Sequence, residues 1–315
     1  SIKTAALNLT PQSIIYRGKI AAHFTSIDPN NLEGKADIIH SLVVIDGRER
    51  LQLDTVQIVA SHEGDSNSIT LRSDIGNAGI VGRYKLPELG AIFMRTVQPY
   101  FAVMPSAQAG TITSPYDFKI YVGLADNPAL NSMLPVVQEL RELNLNGHFA
   151  DSGWSATVVT PLIVLSGMRI EQLQINAGVK NDSLVANIST GRLQLGGNAL
   201  HGFTMQASAA NNVMSFLARF NDLVGKEKYR LAGLLKQPQF GEYEFSLAPE
   251  VLLNYEAWTV APNNMVRISS SSIQARDFML NRNFQQFSLK TRGTSFNSPI
   301  EAYFTSFHVG TLAAI

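Results

Sequence analysis

Leu51-Gln52-Leu53-Asp54-Thr55-Val56-Gln57-Ile58-Val59-Ala60 and, one turn later, Ile69-Thr70-Leu71-Arg72-Ser73-Asp74-Ile75 are the stretches on which the fold turns. Their apolar side chains fall on alternate residues, at Leu51 and Leu53, after one phase slip at Val56, Ile58 and Ala60, and then at Ile69, Leu71 and Ile75. Period two marks a β-strand with one face withdrawn from water. Working outward, the pattern recurs at Ile80, Gly82, Tyr84 and Leu86, at Leu173, Ile175 and Ala177, and at Phe203, Met205 and Ala207. It continues through Met214, Phe216, Ala218 and Phe220 to Tyr243, Phe245 and Leu247. Turn-forming strings separate the runs: Asp28-Pro29-Asn30-Asn31, Asp46-Gly47, Gly64-Asp65-Ser66-Asn67, Lys180-Asn181-Asp182 and Pro262-Asn263-Asn264. Spacings this short predict antiparallel meanders in a mainly β chain.

One segment departs from the pattern. From Pro128 to Leu143 the apolar residues Leu130, Met133, Leu134, Val137, Leu140 and Leu143 stand three or four apart, which predicts a helix near 128–143 capped by Asn127. Pro135 would kink it or move its start to Ser132. A lid or plug over sheet edges is the expected role. A membrane-surface helix is disfavoured, because Arg141 is the only basic residue in the stretch.

The chain also repeats itself. Val56-Gln57-Ile58-Val59-Ala60 aligns with Leu173-Gln174-Ile175-Asn176-Ala177, and the same offset (174 minus 57 is 117) sets Asp65-Ser66 on Asp182-Ser183 and Ser73 on Thr190. Leu32-Glu33-Gly34, Leu145-Asn146-Gly147 and Leu231-Ala232-Gly233 read as short strands closing on glycine. Together these predict three units of a few strands each, 1–115, 116–220 with the helix, and 221–315, stacked into an elongated fragment.

Composition narrows the function. Charged residues are 16% of the 315, below the roughly 25% of an ordinary globular chain, and Lys plus Arg (25) balances Asp plus Glu (25). A net charge of zero supplies no attraction to phosphate, which argues against nucleic acid as a partner. There is no cysteine, hence no disulfide or thiolate site. No apolar run approaches the ~20 residues of a membrane span, and Ser1-Ile2-Lys3-Thr4-Ala5 lacks the signature of a signal peptide. The expectation is a mature chain or excised segment, with any membrane anchor outside it.

Catalytic chemistry does not assemble. The histidines, His23, His40, His62, His148, His201 and His308, stand singly, without metal-binding spacing. No nucleophile elbow, phosphate loop or dinucleotide fingerprint occurs, and His62-Glu63-Gly64-Asp65 fits neither of the common calcium-loop patterns. Trp154 and Trp258 are expected in core packing ahead of a stacking surface. The chain reads as a non-enzymatic scaffold with no cofactor and no metal.

Several strings, taken in order, resemble the TamB branch of the AsmA-like family. They are Ile38-Ile39-His40-Ser41-Leu42-Val43-Val44, Leu53-Asp54-Thr55-Val56-Gln57-Ile58, Ile69-Thr70-Leu71-Arg72-Ser73-Asp74-Ile75 and Ile80-Val81-Gly82-Arg83-Tyr84-Lys85-Leu86. The stretch from Leu252-Leu253 through Trp258-Thr259-Val260-Ala261-Pro262-Asn263-Asn264 to Ile273-Gln274-Ala275-Arg276-Asp277-Phe278-Met279-Leu280 is similar to the family's closing pattern, whereas the middle unit with its helix departs from it. The resemblance implies an interior periplasmic segment of a protein anchored in the inner membrane, with a sheet curled into a trough of apolar inner surface. It implies phospholipid or another acyl-chain ligand moving between the two membranes, and an outer-membrane barrel partner in outer-membrane biogenesis. The expected lining is Val56, Ile58, Leu71, Ile75, Leu173, Ile175, Ile188, Phe203, Met205, Phe216, Tyr243, Phe245 and Phe278. Alternation is equally compatible with a closed sandwich core. A role in assembling barrel or secreted proteins by β-augmentation is the alternative function.

Overall fold

The computed structural model describes residues 2–3, 14–45, 49–103, 110–127, 130, 136–196, 198–270, 272–293 and 298–306. The chain is mainly β, with every recorded strand pair antiparallel and a short α-helix at Leu89–Val97. It divides into two compact units, residues 1–92 with 110–176 and 193–198, and residues 93–109 with 177–192 and 199–315. The repeat predicts three. Two form because compactness follows which side chains pack together, and the packed clusters do not follow the sequence period.

The first unit runs through β1 (Ile2–Lys3), β2 (Ile14–Ser26), β3 (Glu33–Ile45), β4 (Glu49–Glu63), β5 (Ser66–Ser73) and β6 (Gly76–Arg83). A helical turn at Leu86–Glu88 then leads into α1 (Leu89–Val97), which crosses the boundary between the units. β7 (Asp117–Ala125), β8 (Val137–Leu140), β9 (Glu142–Ala150), β10 (Gly153–Leu165) and most of β11 (Met168–Lys180) complete the unit. β2 to β7 pair in sequence order, β7 then pairs with β9 and β9 with β10, while the far end of β10 takes β8.

The repeat is a repeated hairpin. β4 ends at Glu63 and β11 at Lys180, and 180 minus 63 is 117; β5 begins at Ser66 and β12 (Ser183–Leu195) at Ser183, and 183 minus 66 is again 117. Each turn has two residues, with left-handed backbone at Gly64 (φ 58) in one and at Asn181 and Asp182 (φ 50 and 55) in the other. Left-handed pairs match the twist of the strands they join, and Gly, Asn and Asp tolerate them.

The predicted helix is a β-turn-β element over its described second half. Val137–Leu140 and Glu142–Ala150 are strands, and Arg141 between them breaks the alternation. Two short strands meeting at a phase break place Val137, Leu140 and Leu143 three apart on one side, which imitates a helical stripe. Leu130 is helical, while 128–129 and 131–135, including Pro135, lie outside the described residues. Another helix follows Pro87, where the alternation predicts a strand through Leu86. Proline at the first turn and Leu89, Ile92, Phe93 and Thr96 at helical spacing are its signal.

α1 covers one end of the sheet face. Ile92 is fully buried against Tyr84, Tyr116, Phe118 and Phe149. The cross-strand row Gly82, Phe118, Phe149 and Trp154 builds the aromatic stack: Phe118–Phe149 centroids lie 5.3 Å apart and Phe149–Trp154 5.9 Å apart. Tyr84 meets Phe118 edge-on at 5.5 Å. At the other end, Leu130, Val137, Leu140, Ile163 and Ile170 form a second cluster, joined by Leu124, Leu143 and Leu173.

The second unit continues from β12 through β13 (Asn198–Ala210), β14 (Val213–Asn221) and β15 (Glu227–Lys236). There the sheet forks. One end of β15 pairs with β16 (Tyr243–Leu247) and the other meets β17 (Glu250–Leu253). From β16 the arm continues to β19 (Met265–Ile268) and β20 (Ile273–Arg276), and from β17 to β18 (Glu256–Val260), β21 (Phe278–Arg282), β22 (Gln285–Thr291) and β23 (Ile300–Thr305). The two arms enclose Val251, Trp258, Val260, Phe278 and Leu280, with Phe245, Leu247, Val266 and Leu289 packed around them.

The three Leu-x-Gly strings do not close strands; their glycines lie inside β3, β9 and β15. Each leaves room for a phenylalanine ring, since a Cβ at Gly34, Gly147 or Gly233 would strike Phe24, Phe149 or Phe216 respectively. A Cβ at Gly233 would also strike the Ser246 carbonyl, which belongs to the backbone ladder. Gly233→Val is therefore expected to lower the stability of the second unit by about 1–3 kcal/mol in chemical unfolding. Phe118→Ala, which empties a site 1% exposed, is expected to cost the first unit about 3–5 kcal/mol. Burial pushes the Tyr84 phenol up to about 12. The unfolded chain loses this proton first, so the contribution is complete below pH ~10 and is lost as pH rises through about 12. Tyr84→Phe should flatten the fall in stability across that window, measured by urea titration at successive pH values.

Candidate functional site

Residues paired across neighbouring strands share a face of the sheet. In the first unit one such row is Ala22, Ala36, Ile58, Leu71, Ala78, Val122, Leu145 and Val158, running across β2 to β7, β9 and β10 without a polar member. The adjacent row is Phe24, Gly34, Ala60, Ile69, Ile80, Ile120, Gly147 and Ala156. The reverse face carries Thr55, Gln57, Arg72, Asn77, Lys119, Asn144, Asn146 and His148 at the alternate positions, which is why the sequence shows period two.

The first row lies outside the α1 cluster and the cluster around Leu130 and Val137, while the adjacent row joins the α1 cluster at Ile80 and Ile120. From Ala36 to Val158 every member of the first row is half-buried, and none belongs to either cluster. With strands ~4.8 Å apart, the row is about 30 Å long. Half of a bilayer's ~30 Å hydrocarbon core is about 15 Å, so an acyl chain fits along it. The strip has no fixed charge and no buried carboxylate; its chemistry is shape and apolar contact.

The second unit also has apolar cross-strand rows, part of which, at Leu231, Phe245, Leu247 and Val266, packs against the enclosed core. Met205, Ala218 and Leu231 form one row, Ala207, Phe216, Gly233 and Leu247 a second, and Ala209, Met214, Leu235, Phe245, Val266 and Ala275 a third. Phe216 stacks on Phe245 at 5.7 Å, and Phe245 approaches Phe278 at 6.4 Å. A shallow cavity of about 430 Å³ opens beside Ala207 and Phe216.

The predicted lining residues fall into distinct settings. Ile58 and Leu71 lie on the half-buried strip. Val56 and Ile75 pack around Leu53, and Ile75 sits in the β5–β6 turn instead of on a strand. Leu173 belongs to the covered cluster at the end of the strip, while Ile175 and Ile188 are half-buried in β11 and β12. Phe203, Met205 and Phe216 share one face, with Phe203 against Phe220 at 4.6 Å. Tyr243 stacks on Phe101 at 6.4 Å. Phe278 is 7% exposed inside the enclosed core and Phe245 packs against it, so for these two the closed-core alternative holds and the groove assignment is corrected.

Ala78, Val122, Leu145 and Val158 are strip residues absent from the expected lining. The signal was present in Phe118-Lys119-Ile120-Tyr121-Val122, which alternates, and in Leu143-Asn144-Leu145, whose first residue falls in the predicted helix. Trp258 is core, and Trp154 is half-buried in the aromatic stack. His62-Glu63-Gly64-Asp65 forms the β4–β5 turn, with His62 Nδ1 2.8 Å from Asn67 Oδ1. Among the described residues no three His, Asp or Glu side chains gather as a metal site, and no helix is long and apolar enough to cross a membrane.

No family model, curated protein or solved structure matches this chain. The likeness to the TamB branch therefore rests on motif order alone.

Ile58→Asp and Val122→Asp place a carboxylate on the half-buried strip, where water still reaches it, so the fold is expected to survive. Each should weaken binding of an apolar fluorescent dye by roughly tenfold through the cost of desolvating the charge. Thr70→Asp, on the reverse face, should leave dye binding unchanged.

Proposed function

We propose that this chain is a non-enzymatic scaffold whose apolar strip shields phospholipid acyl chains as they cross the aqueous periplasm between inner and outer membrane, in support of outer-membrane biogenesis. The observation that carries the reading is the half-buried row from Ala36 to Val158, apolar from strand to strand and outside both packed clusters. Each methylene taken from water contributes ~0.8 kcal/mol, so a chain of about a dozen carbons is held out of water by roughly 10 kcal/mol. A continuous apolar track removes that barrier with no bond made or broken. The periplasmic setting, with a membrane anchor outside this segment, is what the TamB resemblance implies and is part of the proposal.

A second reading, β-augmentation of an outer-membrane barrel or secreted polypeptide, is favoured by β23. Among the described residues it pairs only with β22, and Ile300, Tyr303 and Phe304 on it are exposed. An unpaired edge with apolar side chains is a template for another strand.

Native mass spectrometry of the purified chain, followed by organic extraction, should reveal co-purifying phospholipid that Ile58→Asp and Val122→Asp deplete. Lipid-free protein, or lipid content indifferent to both substitutions, would overturn the acyl-chain reading. Photo-crosslinking from position 303 that captures polypeptide would favour the second.

A further inference from the structure

Hairpin tips are ordinarily Gly, Asn, Asp or Ser. The β14–β15 tip instead presents Leu223 and Val224, 82% and 88% exposed. This is a constructed loop: Asp222 Oδ1 accepts from the backbone N–H of Val224 at 3.0 Å and of Lys226 at 2.9 Å, and Asp222 O accepts from Gly225 N–H at 3.2 Å. The β17–β18 tip lies beside it, since Tyr255 donates its hydroxyl to Asp222 Oδ2 at 2.7 Å and its backbone N–H to Lys228 O at 2.9 Å. Tyr255 holds left-handed backbone (φ 69), a conformation costly for a bulky residue. Glu256 next to it pairs with Arg282 at 2.6 Å, which brings up the β21–β22 tip, where Phe284 is 90% exposed. Three hairpins of the second unit thus project Leu223, Val224, Tyr255 and Phe284 from one end.

Cations accompany them. Lys226 Nζ stands 4.9 Å from the centroid of Tyr255, and Lys228 Nζ 5.3 Å from that of Tyr229. Lys226, Lys228 and Arg282 stand among Asp222, Glu227 and Glu256, and each acid is engaged, Asp222 by Tyr255, Glu227 by Arg219 and Arg230, and Glu256 by Arg282. Behind the tips the apolar face begins at once, with Phe220 against Phe203 and Tyr229 edge-on to Phe220 at 6.4 Å.

Separate projecting aliphatic and aromatic tips, edged by lysines lying over tyrosine rings, suit a soft interface with oil below and phosphate above; a flat partner would call for a contiguous patch. We infer that this end of the second unit docks on a phospholipid bilayer. Leu223, Val224 and Phe284 enter the acyl region beneath the headgroups, and Lys226, Lys228 and Arg282 stay at the level of the phosphates. This docking does not depend on the acyl-carrying role of the sheet faces.

The test is co-sedimentation of the full chain with vesicles of phosphatidylcholine, alone or mixed with phosphatidylglycerol. Binding is expected to both, stronger with phosphatidylglycerol, and high salt should remove only the difference. The combined Leu223→Ser, Val224→Ser and Phe284→Ser variant, whose circular dichroism should be unchanged because all three side chains are exposed, should lose partitioning by roughly tenfold or more. Phe284→Trp should gain a blue-shifted emission on vesicle addition that the parent chain lacks. A triple variant that sediments like the parent, or an indole at 284 that stays water-like, overturns the docking. Tip-dependent vesicle binding without co-purifying lipid would defeat the acyl-chain reading alone, and the reverse would defeat the docking alone.

Discussion

Register is the constraint on which the structure depends. With side chains alternating between faces, a slip of one residue would carry every apolar residue of a strand to the wrong side. Two-residue turns with left-handed backbone, at Asn181-Asp182 and again at Asn211-Asn212, set that register rigidly. The result is that Ile58 finds Leu71, Ala78 finds Val122, and Leu145 finds Val158, strand after strand. A bulge absorbs one phase slip: left-handed His40 sits where the register between β2 and β3 shifts.

An antiparallel sheet of this kind has more apolar face than its covers reach. In the first unit α1 and its aromatic stack close one end, and the Leu130–Val137 cluster closes the other. The second unit covers part of its own face by forking at β15 and enclosing Trp258 and Phe278 between the arms. The remainder of the apolar face, such as the row from Ala36 to Val158, is half-buried and belongs to neither cluster.

Polar side chains serve the reverse face. Arg219, Glu227, Arg230 and Glu250 form a chain of ion pairs across β14, β15 and β17, and Arg169 joins Glu139 and Glu171. These pairs are partly exposed and each contributes at most about 1 kcal/mol, so they keep the outer face wet and orderly while the apolar contacts supply the stability. Arg267 and Glu244 do the same where β16 meets β19.

By itself the sequence determined the strands, the hairpin turns and the repeated hairpin at offset 117, because period two, turn chemistry and internal similarity are local properties carried by residues such as Val56, Ile58, Asn181 and Asp182. It misread 137–143, where a break at Arg141 between two short strands reproduces helical spacing. Only the tertiary structure decided which apolar residues stay open and which are enclosed. Ile58 and Phe278 each stand between one polar and one apolar neighbour, Gln57 and Val59 for the first and Asp277 and Met279 for the second, yet one is half-buried on the strip and the other lies between two arms of a forked sheet. What separates them is the arrival of a second layer from distant chain, a long-range event that leaves no mark on the local pattern.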